Sequence, residues 1–112
     1  MSDSEKFIKN SEVKHEEIAP GVTRQIMGYM SDLMVIRVHF GQDASFPVHS
    51  HPHQQITHII EGKFKAFIDG ETAVLGPGDS YVVPGNTPHA VESLGSGVLI
   101  DVFSPKRDDF LE

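Results

Sequence analysis

Short runs in which apolar and polar residues alternate, each closed by Gly, Pro, Asn or Asp, recur along this chain of 112 residues. A period of two belongs to strands with one buried face. Residues 33–40 predict one strand, 55–61 a second and 63–68 a third. Asp69-Gly70 between apolar runs is a hairpin signal, because Gly accepts the positive φ that such a turn demands, and residues 72–75 form the return strand. Gly76-Pro77-Gly78-Asp79 marks another turn, 80–83 another strand, and Pro84-Gly85-Asn86-Thr87-Pro88 a rigid loop that delivers His89. Residues 98–103 close the series. Only the first fifteen or so residues suggest helix or loose chain. So many short strands in so short a chain must close into a barrel or sandwich, since an open sheet would leave its edges unpaired. The expected fold class is all-β, in a single domain over residues 1–112.

Composition narrows what such a domain can do. Nine Lys and Arg against sixteen Asp and Glu leave a formal charge of −7, which opposes binding to nucleic acid or to an anionic membrane surface. The absence of Cys excludes disulfides and thiolate metal sites, leaving imidazole, carboxylate and amide groups as ligands. No basic segment leads into an apolar stretch and no run of about eighteen apolar residues occurs, so the expectation is a soluble, cytoplasmic protein.

Four of the seven His fall within ten residues, in and just after His49-Ser50-His51-Pro52-His53-Gln54-Gln55. In extended chain, residues two apart share a face, so His49, His51 and Gln55 can project together. His89, held by Pro84 and Pro88, is the candidate to complete the set. His53 shares their parity but lies beyond Pro52, which suits a pocket wall or no role. His58 has the opposite parity and belongs on the outer surface or in a subunit contact, as do His15 and His39. In the last strand, Leu99, Asp101 and Phe103 share a face; Asp101 is either an edge carboxylate facing solvent or a desolvated group suited to proton transfer. Arg107, one of three Arg in an acidic chain, is either a solvated tail residue or a fork for a substrate carboxylate.

The run His49-x-His51-x3-Gln55-x6-Gly62, then fifteen residues, then Gly78-x5-Pro84-x4-His89, resembles the paired motifs of the small cupins, double-stranded β-helix (jelly-roll) barrels that hold one divalent metal near the barrel mouth. The resemblance covers roughly residues 20–105, taken as the core, and implies His49, His51, Gln55 and His89 as metal ligands. Asp43 and Asn86 stand where the motifs usually have Gly, and Gln55 where most metal-binding cupins have Glu. Asp and Asn tolerate left-handed backbone. A neutral amide leaves the ion its full double charge, which argues for a Lewis acid and against oxygen activation. Nickel, zinc, iron, manganese and cobalt all suit such a donor set.

A closer resemblance lies in His49-Ser50-His51-Pro52-His53 together with the ending Asp101-x-Phe103-Ser104-Pro105-x-Arg107-x-Asp109-Phe110-Leu111. Both are similar to the KdgF-type uronate-linearising cupins of pectin and alginate breakdown. The resemblance implies an isomerase that opens cyclic 4,5-unsaturated uronate monosaccharides to linear keto sugars, with Asp101, Phe103 and Arg107 acting beside the metal. The small-cupin resemblance also suggests a homodimer, formed through amino-terminal strands or through sheet faces carrying Arg37 and His39, with a monomer as the alternative. A non-catalytic sugar-binding or sensory cupin and a metal-dependent dioxygenase are the alternative classes, with an anionic sugar as the expected small-molecule partner of the isomerase.

Overall fold

The computed structural model describes residues 3–112. Its strands are β1 (Glu16–Ala19), β2 (Val22–Met30), β3 (Leu33–Phe40), β4 (Ser45–His49), β5 (Gln54–Ile68), β6 (Glu71–Leu75), β7 (Ser80–Val83) and β8 (His89–Ser104). All pairings are antiparallel, along the path β1-β2-β3-β8-β5-β6, with β4 added to β8 and β7 to β5. The expected all-β fold is present. Among the described residues helix is confined to two short 3-10 turns, Asn10–Glu12 and Asp108–Leu111, and none of their helices is long and apolar enough to cross a membrane.

β3 and β7 keep the boundaries that alternation predicts. Met34, Ile36, Val38 and Phe40 are buried from one strand, and Tyr81 and Val83 from the other. The two runs expected over 55–61 and 63–68 are one strand, β5, interrupted by register shifts between Ile59 and Glu61 and between Glu61 and Lys63. These bulges change which parity faces inward, from Gln55, Thr57 and Ile59 to Phe64 and Ala66. One long strand can thus bend around the barrel and keep its apolar side inside. β8 is likewise longer than its expected 98–103, because His89 opens the strand instead of ending a loop. Asp69 and Gly70 both have positive φ, as a two-residue hairpin of this kind requires. Asp43 and Asn86 occupy left-handed backbone at the two positions where Gly was expected.

β1, β2 and β4 carry no clean alternation. β2 has a bulge between Ile26 and Gly28, and its Gln25 is 1% exposed although it lies on the outer face of the sheet. The amino-terminal segment covers it there: Gln25 Nε2 donates to the carbonyls of Asn10 and Val13, and its Oε1 accepts from His39 Nε2 at 2.9 Å. His15 stacks on His39, so this pair is engaged within the chain. The core also exceeds residues 20–105, since Ile18, Ala19 and Phe110 pack against its central cluster.

Gly62 sits where β5 turns past the Ser96-Gly97 bend of β8. Its φ is +85°, and a Cβ there would lie 2.3 Å from the Ser96 carbonyl oxygen and 2.8 Å from Gly97 Cα. Both contacts are backbone and cannot move aside cheaply. Gly62→Ala is expected to lower the melting temperature by roughly 10 °C or more, about 2–3 kcal/mol; a calorimetric Tm within a degree or two of wild type would show that the corner is not tight.

Candidate metal centre

Three elements bring the site together at one end of the barrel. β4 ends at His49, the turn after it carries His51, and β8 begins at His89, which pairs in register with His49. The convergence of His49, His51 and Gln55 is therefore made by a chain corner, and not by one continuous strand of alternating residues. The corner is held by the Asn86 N–H donating to the His51 carbonyl at 2.7 Å. It requires Gly at 85, where a Cβ would lie 2.5 Å from the Pro52 carbonyl oxygen.

The candidate ligand atoms of His49, His51 and His89 all lie within 4.8 Å of one another. In each ring Nδ1 faces a backbone carbonyl: Pro47 for His49 at 2.9 Å, His53 for His51 at 3.0 Å, and Thr87 for His89 at 2.8 Å. A carbonyl only accepts, so each Nδ1 carries the hydrogen and each Nε2 keeps its lone pair in the neutral ring. Burial is the largest cause holding the His89 pKa down, to about 4, and it also lowers that of His51, with the Arg107 charge adding to the effect. These two imidazoles are neutral at neutral pH. His89 Nε2 is buried without a partner.

Gln55 joins the cluster through its amide. Its Nε2 donates to Thr57 Oγ1 at 2.9 Å and to Asp101 Oδ1 at 3.2 Å, which turns Oε1 toward His51 Nε2 at 3.0 Å. With the His51 hydrogen on Nδ1, a lone pair meets a lone pair at hydrogen-bond distance. Together with the orphaned His89 Nε2, this is an arrangement that a shared cation relieves, and the donor set of three imidazoles and an amide oxygen suits a divalent first-row ion.

The hydrogen bonds of the Gln55 amide nitrogen continue into an acid. Asp101 does not face open solvent. It points inward from β8, in a cross-strand row with Thr57 on β5 and Tyr81 on β7, and lines a cavity of about 110 Å³ with His49, His89, Gln55 and Tyr81. Thr57 Oγ1 accepts from Gln55 and donates to Asp101 Oδ1. Oδ1 is thus doubly anchored, while Oδ2 has no hydrogen bond to the described residues. Burial raises the Asp101 pKa to about 6, against the opposing pull of Thr57, Gln55 and the Arg107 charge. Burial also raises the Tyr81 hydroxyl, and the nearby Asp101 adds to the rise.

Phe103 is 2% exposed and forms part of the wall, its ring edge-on to His51 and to Phe110. Arg107 also lines the cavity. Its Nε and Nη2 donate to the two carboxylate oxygens of Asp109 at 3.1 and 2.9 Å, and its flat face lies over Phe103 and Phe110. The side-on fork expected to meet a substrate is occupied by the chain's own tail. His53 packs its ring against His51 and Phe103, a wall position, while His58 is exposed and bonded to Ser80. Thr57, Tyr81 and Arg24 also belong to the site. None carries a motif signal: Thr57 and Tyr81 look like ordinary strand residues, and Arg24 lies in a strand without alternation.

Comparison with known proteins agrees with this fold. The model of the Cupin domain family matches residues 36–103. The Pectin degradation protein KdgF of Dickeya dadantii (strain 3937) is 42% identical over 108 residues, which cover 95% of this chain and 98% of that protein. Among solved structures, an RmlC-like cupin from Shewanella frigidimarina NCIMB 400 superposes with a TM-score of 0.94 at 38% identity, covering 98% of this chain and 99% of that one. KdgF from Halomonas sp. superposes with a TM-score of 0.90 at 36% identity, covering 96% and 99%.

The Thr57 hydroxyl joins Gln55 to Asp101 from a fully buried position. Replacing it by the near-isosteric Val leaves both partners short of a hydrogen bond. Thr57→Val is expected to cost about 1–2 kcal/mol of stability with the fold retained, read from the urea midpoint at constant slope; an unchanged midpoint would show the hydroxyl to be idle.

Proposed function

This chain belongs to the cupin family, and from that premise we propose that it is a metal-dependent isomerase of pectin breakdown, opening 4,5-unsaturated uronate monosaccharides to linear keto sugars. The observation that carries the proposal is the double use of one amide: Gln55 turns its oxygen to the imidazole cluster and its nitrogen to Asp101. A cation site and a proton-transfer group are thereby fixed relative to each other within one cavity. The sequence similarity to KdgF, which extends over nearly the whole length of both chains, supports the choice of substrate class.

His49, His51, His89 and Gln55 would hold the ion, which supplies Lewis acidity for negative charge developing on oxygen. Asp101 performs the proton transfers at Oδ2. It accepts the O1 proton of the hemiacetal as the C1–O5 bond breaks, leaving an aldehyde at C1 and an enolate over C4, C5 and O5. It then returns that proton to C4, which leaves a ketone at C5, so the sequence is a net isomerisation with no oxidant or reductant. A carboxyl whose pKa lies near 6 exchanges a proton in both directions near neutral pH. Phe103 keeps water from the reacting face, which strengthens each electrostatic contact inside. Arg107 holds positive charge at the cavity wall, and its Asp109 partner fixes the guanidinium in place.

Mixed with an unsaturated uronate monosaccharide, the protein should make the conjugated absorbance decay faster than the spontaneous rate, and a chelator should remove the acceleration. Asp101→Asn should lower kcat/KM at least ~100-fold while metal analysis still finds one ion per chain. Turnover retained in that variant would remove the role given to Asp101, and a wild-type protein that leaves the absorbance at its spontaneous rate would point to a non-catalytic binder. Gln55→Glu should bind metal more tightly yet turn over more slowly. The new carboxylate cancels part of the ion's charge and replaces an N–H donor to Asp101 with a like charge. Metal titration and kcat together check this, and weaker metal with faster turnover would contradict the charge argument.

A further inference from the structure

Arg107 enters the cavity with its Nε–Nη2 edge closed by Asp109, so the edge suited to a bidentate carboxylate contact is taken, and a second cavity guanidinium bears on the anionic end of an acidic sugar. That guanidinium belongs to Arg24 on β2. It lines the same cavity as His89 and Asp101, its side chain is 16% exposed, and its guanidinium lies 3.9 Å over the Phe110 ring, which Arg107 covers as well at 4.2 Å. Among the described residues its one side-chain hydrogen bond runs from Nε to Glu16 at 3.3 Å. Glu16 is in turn shared with Lys14, which weakens its hold. The two Nη groups of Arg24 make no hydrogen bond to the described residues, and neither is a buried orphan. The cavity wall thus carries a guanidinium whose face is fixed by an aromatic ring and whose four Nη–H donors are uncommitted among the described residues.

The register sets its distance from the chemistry. Arg24 pairs with Val38, and Val38 with Leu99, so Arg24 and Asp101 lie two strands apart and one inward position out of line, roughly 10 Å across the sheet. Both residues line the one cavity, so a single small acidic molecule bound there can reach the two of them. We infer that Arg24 is the substrate-binding residue that receives the carboxylate of an acidic monosaccharide and so selects uronates over neutral sugars. This rests on the acidic-sugar reading above, but it assigns the anion contact to a residue outside the motifs.

The test uses metal-loaded full-length protein and two probes, galacturonate and the neutral sugar galactose, with binding read by calorimetry. Wild type should prefer galacturonate, and Arg24→Gln should lose at least tenfold of that preference, with Arg24→Lys recovering part of it. An Arg24→Gln protein that keeps the wild-type preference overturns the inference. Should that variant fail to fold, Glu16→Gln removes the counter-charge on Arg24 without touching the guanidinium: galacturonate affinity should rise several-fold, and an unchanged or lower affinity overturns the inference equally. The two readings fail separately. Turnover of unsaturated uronate with an Arg24-independent preference sinks the inference alone, whereas an Arg24-dependent preference without turnover sinks the ring-opening reaction and leaves the anion contact standing.

Discussion

Three hydrogen bonds, each contributing about 1 kcal/mol or less to stability, decide what this barrel can bind. The Nδ1–H groups of His49, His51 and His89 are each spent on a carbonyl two residues away in the chain. That choice fixes the tautomer and ring orientation of all three imidazoles from local backbone alone. Their Nε2 lone pairs then have nowhere to go but toward one another and toward the Gln55 oxygen. The cluster is built before any ligand arrives, and the protein bears the cost of facing acceptors in its own interior. Burial keeps His51 and His89 neutral, which preserves the lone pairs but adds nothing to satisfy them.

The same economy explains why Asp101 is where it is. An isolated carboxyl in an apolar barrel is expensive, yet this one receives donors on a single oxygen from Thr57 and Gln55. Both donors stand on β5, the strand that pairs with its own. Half of the group is therefore structural and half is free. Had both oxygens been satisfied, the carboxylate would be a fixture; had neither, the group would have stayed protonated or the barrel would not have closed around it.

Much of this is legible in the chain. Strict alternation locates β3 and β7 to the residue, and Asp69-Gly70, Asp43 and Asn86 identify left-handed backbone because few other residues tolerate it. The imidazole and amide set is legible for a different reason: metal-ligand side chains at close spacing are rare by chance. Part of what stays hidden is burial on the side that alternation assigns to solvent, and part is the bulges that break the alternation itself. Gln25 is covered by a segment more than ten residues earlier in the chain, so β2 shows neither a polar nor an apolar face and its bulge removes the remaining period. Arg24 is hidden with it. The carboxy-terminal turn looks like a solvated tail because Arg107, Asp108 and Asp109 are charged, yet Phe110 inserts under two guanidinium groups and packs on the core.

That tail bears on how an acidic protein would receive the anion proposed for it. The formal charge of −7 is a property of the surface, where each carboxylate is screened over about 8–10 Å by salt. The two cavity arginines differ from their partners in just this respect. The side chains of Arg24 and Arg107 are 16% and 11% exposed, whereas those of Glu16 and Asp109 are 30% and 55% exposed. Each ion pair is lopsided, with its cation toward the dry interior and its anion toward water. An anion outside the protein meets a net negative molecule, but one that has entered the cavity meets the less screened half of both pairs. Attraction therefore begins at the mouth, and the selectivity that follows belongs to the cavity wall and not to the net charge.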